Sequence, residues 1–223
     1  MKPKSTLKPR SAYHHGDLRN ALIEHAFAAL RTVGPESLSV RALADEIGVS
    51  PSAAYRHFAD REALLAQLAR IGFERLGESM ARAAAAAARR SPKATVRAIG
   101  SAYVRFGVAE PELYRLMFGA QRVEKSKYPE LGAAAARTYD TLRSAVMRMA
   151  PHASKGSQEL ERLTLRCWAM VHGLASLRID RLIESGTDEG FVELADDLLD
   201  RVTQDYPAVA ATPAKWRERG AGR

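Results

Sequence analysis

The chain predicts an all-α protein, with a small N-terminal three-helix head carrying a helix-turn-helix and a larger C-terminal helical body. Three observations predict it. Apolar residues recur at three- and four-residue spacing along almost the whole chain, and no stretch of useful length alternates as a half-buried strand would. Cap-and-proline starts (Ser50-Pro51, Ser91-Pro92) and a glycine stop (Gly48) punctuate the chain as helix boundaries do. Between residues 38 and 61 two short helical patterns flank a tight turn, the unit that enters the major groove of DNA.

Taken in order, residues 17–33 form an amphipathic helix with Leu18, Leu22, Ala26, Phe27 and Leu30 on one face, stopped by Gly34-Pro35. This helix completes the core of the head. In residues 38–48, Val40, Leu43, Ala44 and Ile47 fall at i, i+3, i+4 and i+7, one apolar stripe. Ser39 precedes the stripe, where a hydroxyl caps the first turn. Gly48 follows it, where a left-handed residue ends a helix. Ser50 caps a second helix over 51–57, and Pro51 fits its first position because the missing N–H would be unpaired there anyway. That helix is about two turns, roughly 10 Å, long, which suits a reading head better than a packing element. Ala54 and Phe58 face the first helix, Ser52, Tyr55, Arg56 and Ala59 point the other way, and Ala53 is small enough for close backbone approach. A solvent-facing Tyr55-Arg56-His57 run makes sense opposite phosphates, since phenol, guanidinium and imidazole can all donate to them. Arg56 can instead place its fork on guanine O6 and N7. A solvated helix with one aromatic leaning on its neighbour is the plainer alternative.

A long helix over 60–90 follows, capped by Asp60 and striped by Leu64, Leu68, Ile71 and Leu76. It ends in the alanine run 83–88, a strong helix former, and is read as the strut from head to body. Further helices are expected over 92–109, 111–118, 128–149, 157–185 and 188–206. Residues 160–183 are apolar nearly all round, so their helix must be covered on most sides. Phe191, Leu194, Ala195, Leu198, Leu199 and Val202 make a strict stripe on the last helix. Two such helices side by side are material for a two-fold four-helix interface, with Leu174, Leu177, Phe191, Leu194, Leu198 and Val202 as its dimerisation residues. The alternative is that they simply close the monomer core.

Hydrophobic residues make up 46% of the 223-residue chain and charged residues 27%, ordinary values for a soluble protein with room for a head and a larger core. The opening residues are basic and polar without the apolar run of a secretory signal, and the longest nearly uncharged stretch, 167–177, is too short to cross a bilayer. One cysteine excludes an internal disulfide and fits a reducing cytoplasm. The net charge of +8 is concentrated at the ends. Residues 1–15 carry Lys2, Lys4, Lys8 and Arg10 with no acid, and residues 207–223 carry Lys215, Arg217, Arg219 and Arg223 against Glu218. Basic tails attract a polyanion. The first is read as a minor-groove arm or, equally, a solubilising end. The second, rich in Pro and Ala, is read as a disordered tail. The domains expected are a basic arm (1–15), the helix-turn-helix head (16–60), a helical body (61–206), to which the resemblance described below adds ligand binding and dimerisation, and the tail (207–223).

The head resembles the DNA-binding domain of TetR-type bacterial transcriptional regulators. The resemblance rests on Ser39, Ala44, Gly48-Val49-Ser50, Tyr55-Arg56-His57-Phe58 and Arg61-Glu62-Ala63-Leu64, and continues upstream through Tyr13-His14-His15-Gly16-Asp17-Leu18-Arg19. It implies that Ser39, Val40 and Arg41 open the supporting helix beside the DNA backbone. It implies that Pro51, Ser52 and Ala53 lie near base edges, and that Tyr55, His57 and Arg61 hold phosphates. Two positions depart from the pattern: Arg61 stands where Lys is usual, and Ala54 where a larger aliphatic is usual. Ser52 and Arg56 are almost the only side chains here that can hydrogen-bond a base, so DNA shape matters too.

The body carries an aromatic and methionine set comprising Tyr103, Phe106, Tyr114, Met117, Phe118, Tyr139, Met147, Met149, Trp168 and Met170. Trp168 and His172 share a helical face and Gly173 follows. This Trp-x-x-x-His-Gly, with Glu-Pro-Glu-Leu-Tyr-Arg-Leu-Met-Phe-Gly at 110–119, resembles the effector-domain subgroup of the family named for Trp-His-Gly. Tyr103, Phe106, Tyr114, Met117, Phe118, Tyr139, Trp168 and His172 are then candidates to line a pocket for a small, largely apolar effector. The same residues can equally fill a core, with His172 bonding a backbone carbonyl.

Catalytic and metal chemistry find little support. Cys167 and His172, five apart on one helix, point away from each other and lack a third orienting group. His14, His15, His25, His57 and His152 lack metal-site spacing. Glu110 and Glu112 flank Pro111 at a helix start, where acids favour the helix dipole. The expectation is a cytoplasmic, dimeric, ligand-responsive repressor that needs no cofactor and reads an inverted repeat in double-stranded DNA, with half-sites about one helical turn (~34 Å) apart. A DNA-organising or partner-docking protein of the same fold, without a small ligand, is the alternative.

Overall fold

The computed structural model describes residues 18–119, 123–150, 157–183 and 186–204. The expected basic arm, the motif residues 13–17, His152 and the C-terminal tail lie outside the described residues. Among the described residues there are nine α-helices and no strand: α1 Leu18–Val33, α2 Val40–Ile47, α3 Pro51–Tyr55, α4 Arg61–Ala87, α5 Pro92–Ala109, α6 Pro111–Phe118, α7 Pro129–Met149, α8 Gln158–Ile179 and α9 Asp188–Gln204. No described helix is long and apolar enough to cross a membrane. The chain divides into two compact units, Met1–Ser79 with Phe106–Thr141, and Met80–Arg105 with Leu142–Arg223.

The first unit is built on α1, which packs against α2, α3 and α6. Leu22, Ala26 and Leu30, spaced by four, are almost fully buried on its inner face. Arg75 lies over the Phe27 ring at 4.2 Å and Arg19 over Phe58 at 5.4 Å, so cations cover the aromatic edges of this core. Arg31 of α1 donates to both carboxylate oxygens of Glu110, the residue before α6, at 2.6 and 3.1 Å. Glu110 therefore ties two elements together besides standing at a helix start. The pair is too exposed to contribute more than about 1 kcal/mol, but it fixes direction. Gly72 lets α4 and α6 approach closely: a Cβ there would meet Met117 Sδ at 2.6 Å. The Thr138 hydroxyl of α7 lies 2.8 Å from the Phe73 carbonyl and 2.9 Å from that of Ala134, a buried polar group satisfied by backbone.

The second unit is organised by α8 and α9, which pack along each other. Leu160, Leu163, Cys167, Val171 and Leu174 of α8 and Phe191, Ala195 and Leu199 of α9 are buried. Charged contacts from α5 and α8 hold α9. Arg105 donates to both oxygens of Glu189 at 2.5 Å, Arg97 to Asp200 at 3.1 Å and Arg178 to Asp188 at 2.9 Å, while the Ser101 hydroxyl bonds Asp196.

Three boundaries fall two or more residues short of the sequence reading among the described residues, and one is the long helix, which ends at Ala87 instead of 90. The second helix of the head ends at Tyr55 instead of reaching His57, because the N–H groups of His57 and Phe58 both fall on the Ala54 carbonyl and close the chain into a turn. The eighth helix ends at Ile179 instead of 185. Arg181 adopts φ 57°, the left-handed conformation that closes helices, and the Leu182 N–H returns to the Leu177 carbonyl at 2.9 Å.

Candidate nucleic-acid interface

The reading head is assembled by caps. The Ser39 hydroxyl accepts from the Ala42 N–H at 3.4 Å and opens α2. Gly48 closes it at φ 80°, ψ 30°, and the Val49 N–H reaches the Ala44 carbonyl at 2.9 Å. The Ser50 hydroxyl then accepts from the Ala53 N–H at 3.3 Å and starts α3 two residues after α2 has stopped. Ala54 and Phe58 are buried, as their spacing requires.

This anchoring leaves the opposite face of α3 open. Tyr55 is 46% exposed, and Ser52, Arg56 and Ala59 are exposed beside it. Arg41 is exposed on α2 and Pro51 and Ala53 are half-buried at the start of α3. Among the described residues no hydrogen bond or ion pair engages the side chains of Arg41, Tyr55, Arg56 or His57, so their donors are open to an outside acceptor. His57 is half-buried, less open than a solvent-facing run implied. Ser39 and Val40 belong to the support: the hydroxyl of the first is a cap and the second is 2% exposed. The Ser52 hydroxyl shares a 3.0 Å hydrogen bond with that of Ser50, which orients it at the tip of α3.

Arg61 requires a correction. Instead of projecting toward phosphate, its guanidinium turns onto the loop between α1 and α2, with Nε 3.0 Å from the Leu38 carbonyl and Nη2 2.5 Å from Pro35 and 3.0 Å from Glu36 carbonyls. A fork meeting three carbonyls of one loop is a brace for the head.

The aromatic set expected to line an effector pocket is divided between the units. In the first unit Tyr114 and Met117 are buried, Met117 sits against Gly72, and Phe118 packs on Phe73 and Tyr114 with centroids 5.2 and 4.9 Å apart. These three fill core space. Phe106 and Tyr139 of the same unit are half-buried. In the second unit Tyr103, Trp168 and His172 come together. The Tyr103 hydroxyl is 2.9 Å from His172 Nδ1, and the Trp168 ring centroid is 5.6 Å from that of His172. Burial pushes the His172 imidazole below its ordinary pKa, so the neutral ring is favoured. The Tyr103 hydroxyl is thus one hydrogen-bond partner of His172. Cys167 is buried and its thiol is pushed up to about 11 by burial, which withholds the thiolate that a nucleophile needs.

The residues expected at a dimer interface also separate. Leu174 and Phe191 are buried within their own chain, Phe191 completely, and belong to the core. Leu177 and Leu194 are 38% and 40% exposed, and Leu198 and Val202 half-buried. The sequence reading missed the rest of this face. Leu165 is 53% exposed, Ala169 is exposed, and a Cβ on Gly173 would meet nothing within 4 Å. With Leu177 these lie every fourth residue along α8, and that spacing was the signal available.

A capped two-helix reader with an open donor face, on an all-helical body, defines the class of helix-turn-helix DNA-binding regulators. Comparison with known proteins agrees. Residues 22–68 match the model of bacterial regulatory proteins of the tetR family, and residues 96–202 match the tetracyclin repressor-like C-terminal domain. No curated protein matches the chain. Among solved structures, a Rhodococcus sp. RHA1 protein of unknown function is 32% identical over 86% of this chain and 98% of its own, with a TM-score of 0.72. The TetR family regulator PfmR from Thermus thermophilus is 20% identical (82% and 97% covered, TM-score 0.59). A TetR/AcrR family regulator from Thermobifida fusca is 18% identical (82% and 97% covered, TM-score 0.62). The last two are alike in fold. The chain belongs to the TetR family and is a DNA-binding transcriptional regulator.

Proposed function

We propose that the chain is a cytoplasmic homodimeric repressor released from an inverted-repeat operator by a small, largely apolar effector. The observation that carries the reading is the open face of α3, where Tyr55 and Arg56 stand exposed on a helix pinned by two serine caps and a left-handed glycine. In this reading Arg41, Tyr55 and His57 hold phosphates, Arg56 reads a base edge, and Ser52 and the small Pro51 and Ala53 allow close approach to the groove.

The open face of α8 supports the dimer. Leu165, Ala169, Gly173 and Leu177 line one side of it, and a neighbouring groove of about 480 Å³ is lined by Ala169, Met170, Leu198 and Val202 with Arg166 and Arg201. Small residues at the centre let a second copy of α8 approach closely, and apolar ends give it surface to bury. The Tyr103–His172–Trp168 cluster supports assignment to the Trp-His-Gly subgroup, with these three as effector contacts. A ligand that prefers the non-binding conformation ~10⁴-fold swings DNA occupancy almost fully.

The test is operator capture. Genomic fragments bound by the purified protein should contain a two-fold symmetric sequence, and Arg56→Ala should lower affinity for it. Bound fragments without any shared symmetric sequence would favour a DNA-organising protein instead.

A further inference from the structure

A surface groove of about 450 Å³ lies in the first unit, between the N-terminal turns of α4 and the start of α7. Its walls are mostly apolar: Ala63 and Ala66 of α4 on one side, Tyr128 and Leu131 on the other. None of the effector candidates lines it.

Gln67 sits in this groove and is only 9% exposed. Arg70 Nε lies 3.3 Å from Gln67 Oε1. A guanidinium N–H can only donate, so the amide oxygen must face Arg70 and the NH₂ group must turn away. Among the described residues nothing accepts from that NH₂. Gln67 lines the groove, which places that donor within reach of an acceptor bound there.

The charged groups at the rim do not ask for a charged ligand. Arg70 Nη1 is 2.5 Å from Glu74, with Glu130 at 4.0 Å from its Nε. Lys127 Nζ is 3.4 Å from Glu124 and 3.8 Å from Glu62. Each cation lining the groove already faces carboxylates, so the neutral polar groups it offers a ligand are the Gln67 amide and the Tyr128 hydroxyl. Pockets of this volume with a few placed polar groups suit small molecules.

We propose that this groove binds a small, uncharged, largely apolar molecule through a carbonyl oxygen (ketone, ester or lactone) that accepts from the Gln67 amide. The groove is a binding site additional to the Tyr103–His172–Trp168 contacts, and it rests on the effector reading for any consequence at DNA. Binding itself is measured without DNA, so the site and the regulatory role can fail separately.

The experiment is calorimetric titration of the full chain with three probes of one shape: acetophenone, ethylbenzene without the carbonyl, and benzoate with a charge. Acetophenone should bind at least about tenfold more tightly than either. Gln67→Leu, checked for fold by circular dichroism, should erase the preference for acetophenone over ethylbenzene. If that variant does not fold, Ala63→Phe, which fills the groove from its half-buried wall, should abolish acetophenone binding. No acetophenone binding at millimolar concentration, equal affinity for ethylbenzene, or stronger binding of benzoate overturns the proposal. So does wild-type affinity in folded Gln67→Leu or Ala63→Phe.

Discussion

Arg61 illustrates how neighbours decide what a side chain does. From the motif it reads as one more cation for phosphate; in the fold it braces three carbonyls of the loop before α2. Arg61→Ala should therefore lower the stability of the head by about 2 kcal/mol, seen as a lower denaturation midpoint. Loss of DNA affinity with an unchanged midpoint would return Arg61 to the interface. Arg56 is the contrasting case, exposed and without a partner among the described residues. Arg56→Ala should cost ~1–3 kcal/mol in binding and relax one operator position; a uniform loss across all operator variants would make it a phosphate contact. Gly48, at φ 80° with open space around its missing Cβ, isolates backbone conformation from crowding. Gly48→Val should destabilise the head by roughly 1–2 kcal/mol, and Gly48→Asn by less, since Asn tolerates the left-handed region. Equal melting temperatures for the two variants would contradict that account.

Among the helices, α3 and α8 show what periodicity conveys and where it stops. The start of α3 was legible because serine and proline announce it, and its buried side because Ala54 and Phe58 are four apart. Its end was not, because the closing hydrogen bonds to Ala54 depend on how Phe58 packs. In α8 the apolar character nearly all round masked the division between core and open face, which shows along the chain only as the four-residue spacing from Leu165 to Leu177. Packing placed Leu174 inside and Leu165 outside, although both are leucines. The same helix carries a titrating group. Burial lowers the His172 pKa in the folded chain, so below its ordinary value of about 6.5 the unfolded chain takes up a proton that the folded one resists. Stability should therefore fall as pH drops from that value toward the lower folded pKa. Thermal melts between pH 7.5 and 5.5 check this. His172→Gln should melt with a shallower pH dependence, and an identical slope would place the effect on other groups.

Two linked heads would hold DNA more tightly than one, because linked binding is multiplied. If the face of α8 joins two copies, Gly173→Leu should block it without disturbing the single chain, since nothing lies within 4 Å of the added Cβ. Sedimentation should then show monomers with an unchanged circular dichroism spectrum. Operator affinity should fall by a factor of about 10² or more, although the head is untouched. A variant that stays dimeric would move the interface elsewhere.

Local chemistry was enough to establish the helices, the caps and the DNA-reading motif. Hydroxyls, prolines and glycines act on the backbone within a few residues of themselves, so their effects can be read along the chain. The choice among like residues came only from the packed arrangement. Arg61 became a brace, Met117 a core residue against Gly72, Leu165 an open leucine and Gln67 a buried amide facing a groove. Each of those outcomes depends on atoms brought near from distant parts of the chain, and spacing along one helix carries no record of them.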